Sequence, residues 1–136
     1  MTADRPPNDG AASPAGLMTR DLQLRRRGGL LIATFLDNDI LDAERVQEIA
    51  RELLALIESE RPRALVLNLR SVRSASAYFL GCLMGLHKRL AASGGELRAC
   101  CLSNEMRLHF QLTQFERLIP VFDDERASLT GPFREA

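Results

Sequence analysis

One stretch decides the fold: residues Arg63 to Leu90, which read RALVLNLRSVRSASAYFLGCLMGLHKRL. Its first part, Ala64–Leu69, is a short apolar run with the length and branching of a strand buried on both faces. A polar turn of small residues follows, and apolar residues then recur at helical spacing from Leu80 to Leu90. Unpaired backbone N–H groups at the start of such a helix favour an oxygen or a phosphate. The sequence therefore predicts a functional corner where the strand passes into the helix.

The composition indicates one globular domain. The chain has 136 residues, of which 46% are hydrophobic and 26% are charged, as in ordinary soluble proteins. Eighteen basic residues balance eighteen acidic ones, so no net field favours nucleic acid or an anionic membrane. Neither a membrane-spanning run nor a secretory signal is visible in the sequence. We therefore expect a cytoplasmic protein that neither binds nucleic acid nor inserts into a membrane.

The flanking sequence predicts two tails and a hairpin. Residues 1–18, rich in Pro, Gly and Ala, are typical of a disordered tail; we expect the domain over 19–130 and a C-terminal tail over 131–136. Asp21–Arg25 alternates polar and apolar like a strand, and Gly28-Gly29 is typical of a hairpin turn.

The remaining elements follow from periodicity and capping signals. They are a returning strand over Leu30–Leu36, a helix over Ala43–Ser59 capped by Asp42, a strand over Leu97–Leu102, a short helix capped by Asn104, an extended run over Ile119–Phe122 and a last helix starting at Asp123–Glu125. The order β-β-α-β-α-β-α-(β)-α predicts an α/β fold. We expect a mixed sheet of four to five strands with about four helices packed against it.

The glycine pairs do not predict a phosphate-binding loop. Gly28-Gly29 lies in a hairpin, and Gly94-Gly95 precedes a strand rather than a helix. Gly81 and Gly85 are four residues apart on the second helix. We interpret them as a site of close helix packing in preference to a partner-binding groove.

Reactive side chains give little support for an enzyme or a metal site. A serine nucleophile needs a general base within reach, and the histidines, His87 and His109, lie away from the serine-rich turn. The three cysteines, Cys82, Cys100 and Cys101, lack metal-ligand spacing, and adjacent cysteines on a strand point to opposite faces. We expect free, buried thiols, no cofactor, no metal and no catalytic residue.

The hydroxyls of the turn have two interpretations. Ser71, Ser74 and Ser76 can form the turn and cap the helix, which is worth about 1 kcal/mol. They can also form a phosphorylation or docking surface, in which a phosphate would gain from the helix N-terminus and pair with Arg73.

Five features of the sequence occur together in a recognisable order. They are the strand Leu65–Leu69, the turn Ser76-Ala77, the helix Leu80–Arg89, the segment Gly94–Leu97 leading into a strand, and the run Leu112–Phe122. With these features, the stretch from Asp21 to Leu129 resembles a STAS domain, the fold of bacterial anti-sigma factor antagonists.

The resemblance implies a phosphorylation switch with a missing acceptor. In that family the turn usually reads Asp-Ser-Ser-Gly, and its first Ser is phosphorylated by a partner that is both anti-sigma factor and serine kinase. In this chain the four positions fall on Ser76, Ala77, Tyr78 and Phe79. The chain is then either a constitutively unphosphorylated binder, which we favour, or it is phosphorylated at Ser76, with Ser74 as the other candidate.

The resemblance also implies a function and a surface. We expect a non-enzymatic regulatory protein–protein interaction module, an anti-sigma factor antagonist acting on an anti-sigma factor or a histidine-kinase-like serine kinase. Its partner surface would comprise the loop after the hairpin, the serine-rich turn and the exposed side of the second helix. The residues are Asn38, Asp39, Ile40, Arg73, Ser74, Ser76, Ala77, Tyr78, Phe79 and Gly81.

Two other classes stay open. One is a subunit of a larger assembly, such as a stressosome-like scaffold or a lipid-transport complex, which exposed Tyr78, Phe79 and Phe115 would suit. The other is a sensor that binds a small ligand or a nucleotide on the sheet.

Overall fold

A computed structural model describes residues 16–18 and 22–133 as a mixed β-sheet with helices packed against it. In chain order its elements are β1 (Gly16–Met18), β2 (Leu22–Arg27), β3 (Leu30–Phe35), β4 (Asp39–Ile40), α1 (Ala43–Glu60), β5 (Ala64–Asn68), β6 (Ser74–Ala75), α2 (Ala77–Ala92), β7 (Glu96–Cys100), α3 (Asn104–Leu112), a 3-10 helix (Phe115–Arg117), β8 (Val121–Phe122) and α4 (Glu125–Thr130).

The main sheet has the order β1-β2-β3-β5-β7-β8. The first three strands pair antiparallel, and β3, β5, β7 and β8 pair parallel. The apolar run predicted to be a buried strand is β5, and all five of its residues are buried. The predicted α/β class, with a mixed sheet and four α-helices, is confirmed.

The hairpin between β2 and β3 turns at Gly28-Gly29, as predicted. Both glycines have positive φ, 53° and 86°, which is the backbone that a two-residue hairpin turn requires and that glycine adopts without strain. The turn sets the register in which Arg27 lies opposite Leu30.

Apolar side chains lie on both faces of the sheet. The larger core lies between one face and α1, α2 and α3, where helix residues such as Leu53, Leu83 and Phe110 are buried. A smaller cluster of Ile32, Val66 and Cys100 occupies the other face and packs against residues near the C-terminus, including Phe122 and Leu129. The helical spacing of apolar residues in the sequence indicated the larger of these two cores.

Each of the four α-helices that the structure describes begins with a side-chain cap. The Asp42 carboxylate accepts from the backbone N–H of Glu44 at the start of α1, and Asp124 accepts from Ala127 N–H at the start of α4. The prediction that Asn104 caps α3 is wrong. Ser103 is the cap, since its hydroxyl accepts from the Met106 N–H at 3.1 Å, and Asn104 is the first residue of the helix.

Parts of both segments that were predicted to be tails make defined contacts in the structure. Gly16–Met18 forms β1 and pairs with β2, and Pro132 O accepts a hydrogen bond from Arg98. The rest of both predicted tails, residues 1–15 and 134–136, and residues 19–21 lie outside the described residues. None of the described helices combines the length and the apolar character needed to cross a bilayer.

Candidate functional site

The pairing of β4 with β6 builds the corner. Asp39 lies opposite Ser74 and Ile40 opposite Ala75 in a short parallel pair. Further backbone bonds extend this pairing, because Arg73 N–H donates to Asn38 O at 2.6 Å and Ser76 N–H donates to Ile40 O at 2.9 Å. We call residues 38–40 and 73–78 the corner. The structure therefore brings together the loop and the turn that the sequence assigned to one surface.

Ser76 is the N-cap of α2. Its backbone is extended, and its hydroxyl accepts a hydrogen bond from the Phe79 N–H at 3.1 Å. The side chain is half-buried, whereas Ala77, the first residue of the helix, is exposed. The capping role predicted for the turn is thus observed at Ser76. Ala77, where the resemblance led us to expect a phosphate acceptor, presents an exposed methyl group.

Asp39 organises the polar side of the corner. Its carboxylate accepts from the Ser74 hydroxyl at 2.8 Å and forms an ion pair with the Arg73 guanidinium at 3.3 Å. The Ser103 hydroxyl, which caps α3, also donates to Arg73 O at 3.4 Å. Asp39 and Ser74 were predicted from the sequence to be surface residues, but their hydrogen bond was not predicted. Strands of two residues are too short to show a periodicity from which their pairing could be inferred.

Two residues predicted to contact a partner are buried. Phe79 is 2% exposed and packs edge-on against Phe35 at 5.6 Å between ring centroids, and Ile40 is 4% exposed. The expectation that these side chains contribute to the surface is wrong, because the corner folds them into the core. The β4–β6 pair turns Ile40 inward, and the helical period from Leu83 places Phe79 on the same inner face.

Of the three aromatic residues expected to form an apolar surface, Tyr78 is exposed. Its hydroxyl accepts from the Gln47 side-chain amide of α1 at 3.0 Å, so the ring is held over the junction of two helices. Phe115 is half-buried against Phe110. The apolar contribution of the corner to a partner surface is therefore centred on Tyr78.

The exposed side of α2 is open at both of its glycines. A methyl group added at Gly81 or Gly85 would meet no atom within 4 Å, so the interpretation of these glycines as a close-packing site is wrong. Gly85 instead lines a groove between α1 and α2 of about 480 Å³, whose floor includes Ala50 and Leu54. Close approach occurs at Gly95, where an added methyl carbon would lie 2.8 Å from Pro62 O.

The corner offers hydrogen-bonding and ion-pairing groups next to a helix N-terminus. The Asp39 carboxylate contacts the Ser74 hydroxyl and the Arg73 guanidinium, and the phenol of Tyr78 lies in the first turn of the helix that follows. Within residues 16–18 and 22–133, His, Cys, Asp and Glu side chains form no group of three that could hold a metal ion. The arrangement suits recognition of another protein's polar surface.

Comparison with known proteins identifies a matching family and several similar structures. The STAS domain family model matches residues 22–128. An anti-sigma-factor antagonist (STAS) domain protein from Planctomyces limnophilus is 19% identical, with 82% of this chain and 97% of that one covered and a TM-score of 0.73. An anti-sigma factor antagonist from Mycobacterium paratuberculosis is 18% identical, with 80% and 90% covered and a TM-score of 0.70.

A third similar structure is the Bacillus cell fate determinant SpoIIAA in its phosphorylated form. It is 18% identical, with 79% of this chain and 96% of that one covered and a TM-score of 0.63. At such identities these three similarities establish a shared fold and not a shared activity. The family match begins at the first residue of β2 and ends within α4, so it covers nearly all of the sheet-and-helix arrangement described above apart from β1. This chain belongs to the STAS domain family.

Proposed function

We propose that this chain is a regulatory protein–protein interaction module that antagonises an anti-sigma factor. The observation that carries the proposal is the corner, where Asp39, Arg73 and Ser74 present polar groups beside the exposed Tyr78 at the N-terminus of α2. Two of the similar structures bear the name anti-sigma factor antagonist, which supports the same function. The expected partner is an anti-sigma factor with a histidine-kinase-like fold.

The environments of the two candidate serines, Ser76 and Ser74, support a binder that is not phosphorylated. Ala77 has no hydroxyl, and the Ser76 hydroxyl is half-buried and engaged in the helix cap. A phosphate on Ser74 would replace the hydroxyl that donates to Asp39 at 2.8 Å with a dianion, which would repel this carboxylate and compete with it for the Arg73 guanidinium. The complex would therefore persist where the usual switch would release it.

The test measures binding of the purified anti-sigma factor from the same genome by calorimetry. We expect Ala77→Asp to weaken binding at least about tenfold, because it adds a charge that the partner must desolvate. The new carboxylate lies in the first turn of α2, where the helix dipole favours it, so folding should be retained. The matched control is Ala55→Asp, an exposed alanine in the middle of α1. Equal affinity for wild type and Ala77→Asp would contradict the proposal.

A gain-of-function variant tests the phosphorylation state. With a partner kinase and ATP, we expect Ala77→Ser to incorporate phosphate and the wild type to incorporate none, as measured by intact mass. Phosphate on wild-type Ser76 or Ser74 would overturn the unphosphorylated reading and leave the binding proposal standing.

A second candidate function is a subunit of a larger STAS-containing assembly. It is favoured by three exposed leucines at and beyond α3, namely Leu108, Leu112 and Leu118. Exposed leucines of this kind suit a lasting interface. Light scattering of the protein purified with its endogenous partner separates the two, since an antagonist gives a small complex and a scaffold gives a large one.

A further inference from the structure

The two adjacent cysteines at the end of β7 face each other. Cys100 is the last residue of the strand, and Cys101, the next residue, has a left-handed backbone with φ of 65°. On a regular strand neighbouring side chains point to opposite faces, which is what the sequence predicted here. That prediction is wrong, because the left-handed residue brings both sulfurs to one side, with Sγ to Sγ 3.4 Å apart.

The two thiols differ in their surroundings. Cys100 is fully buried in the smaller core, and burial, followed by its interaction with Cys101, raises the pKa of its thiol to about 12. Cys101 is half-buried and packs at the edge of the same cluster. A dissolved reagent therefore reaches Cys101 first, and Cys100 lies behind it as the group that can attack next.

We infer that Cys100 and Cys101 are a reversible modification site that closes to a disulfide between adjacent residues, with a low-molecular-weight disulfide as oxidant. The Cys101 thiolate attacks one sulfur of the oxidant, forms a mixed disulfide and releases one thiolate. The Cys100 thiol then passes its proton to the thiolate released in the first step, and its sulfur attacks Cys101 Sγ and expels the second thiolate. The chain gives up two hydrogens and two electrons, and the oxidant becomes two thiols.

The bond is expected to be easily reduced. Adjacent Cα atoms across a trans peptide are about 3.8 Å apart, whereas protein disulfides usually join Cα atoms about 4.4–6.8 Å apart. A strained disulfide has a more oxidising potential than a structural one and is therefore labile. The site would act as a reversible thiol pair and not as a permanent cross-link.

The test incubates the folded protein with oxidised glutathione and measures intact and peptide masses. We expect wild type to lose two hydrogens, located by trypsin in the peptide of residues 99–107, and to recover them with dithiothreitol. Cys100→Ala removes the attacking thiol, so it should accumulate one glutathione on Cys101. Cys101→Ser should show neither product. Cys82→Ser, a cysteine on α2 away from the pair, should behave as wild type.

Several outcomes would overturn the inference. They are free thiols at both positions after oxidation of wild type, a disulfide that involves Cys82 or a second molecule, and glutathione that stays on Cys101 in wild type. Thermal unfolding establishes that each variant is folded. If Cys100→Ala does not fold, the comparison of wild type with Cys101→Ser and Cys82→Ser decides the question.

Discussion

The Ser76 side chain stabilises the N-terminus of α2. Its hydroxyl accepts the N–H of Phe79, one of the helix donors that lack a partner within the helix. We predict that Ser76→Ala lowers the free energy of unfolding by about 1 kcal/mol, as measured by urea denaturation. Ser76→Asp should retain stability, because a carboxylate caps the helix and complements its dipole.

The control for this prediction is Ser59→Ala. Ser59 lies near the end of α1, is exposed, and its hydroxyl makes a long bond of 3.4 Å to Leu56 O. We expect this substitution to change stability by less than about 0.5 kcal/mol. An equal effect at Ser59 and Ser76 would show that the capping hydrogen bond of Ser76 does not contribute to the free energy of unfolding.

The sequence predicted which residues form the site better than it predicted their burial and their contacts. The sequence identified Ser76 as a cap or acceptor, and the spacing of apolar residues predicted the helix that follows. It did not reveal that Phe79 is buried, because the motif comparison took the position for a surface glycine, whereas the period of α2 from Leu83 places it inside. The contact between Asp39 and Ser74 depends on chain segments 35 residues apart and leaves no local signal.

At the scale of the element, α2 carries two glycines whose surroundings are open. We predict that Gly81→Ala and Gly85→Ala each raise the free energy of unfolding by about 0.5–1 kcal/mol, because alanine lowers the backbone entropy of the unfolded chain and favours helix. Neither methyl group would meet an atom within 4 Å. Chemical denaturation of each variant measures the change.

Gly95→Ala is the contrasting variant. Its methyl group would lie 2.8 Å from Pro62 O and 3.0 Å from Leu90 Cδ2, so we expect a loss of stability. If Gly81→Ala or Gly85→Ala were destabilising instead, these positions would be packed against a neighbour after all.

Elements of regular period were predicted closely, and short elements were missed. The helix predicted over Ala43–Ser59 is observed over Ala43–Glu60, and the strand predicted over Leu30–Leu36 ends at Phe35. The strands β4 and β6 have two residues each and exist because they pair with one another, so no segment of sequence predicts either alone. Pairing with β2 likewise makes a strand of Gly16–Met18.

At the scale of the whole molecule, Glu125 joins α4 to two strands of the sheet. Its carboxylate accepts from Arg25 and from the Asn68 amide, and the Arg25 bond, which has the larger effect, lowers the pKa of Glu125 below its usual value of 4.5. A lowered folded-state pKa contributes stability above the unfolded-state value, and this contribution is lost as pH falls through the folded-state pKa. Glu125→Gln should therefore be less stable than wild type at neutral pH.

We predict that this difference in unfolding free energy shrinks as pH is lowered below 4.5, as measured by urea denaturation at a series of pH values. Glu48→Gln, which makes the same substitution at an exposed position on α1, is the matched control. A difference between wild type and Glu125→Gln that stays constant with pH would contradict the assignment.

Arg98 is fully buried on β7 and binds the C-terminal segment, residues 128–132, to the sheet. Its guanidinium donates to the Glu96 carboxylate, to Ser128 O and to Pro132 O. We predict that Arg98→Met costs about 3–5 kcal/mol, because it removes the three hydrogen bonds that the buried guanidinium donates. Thermal and urea unfolding measure the loss.

Arg107→Met is the matched control, since its ion pair with Asp123 lies at the surface. We expect it to cost less than about 1 kcal/mol. A small effect at Arg98 would show that packing of α4, and not this guanidinium, holds the segment in place.

The outermost strands of the main sheet are short, and this limits how the protein can associate with others. β1 has three residues, and β8 has two that follow Pro120. Strands of that length present few unpaired peptide groups to an incoming chain. Within residues 16–18 and 22–133, an extended peptide therefore finds little template on which to continue the sheet. Recognition then depends on side chains, whose identity can change through evolution without disturbing the fold.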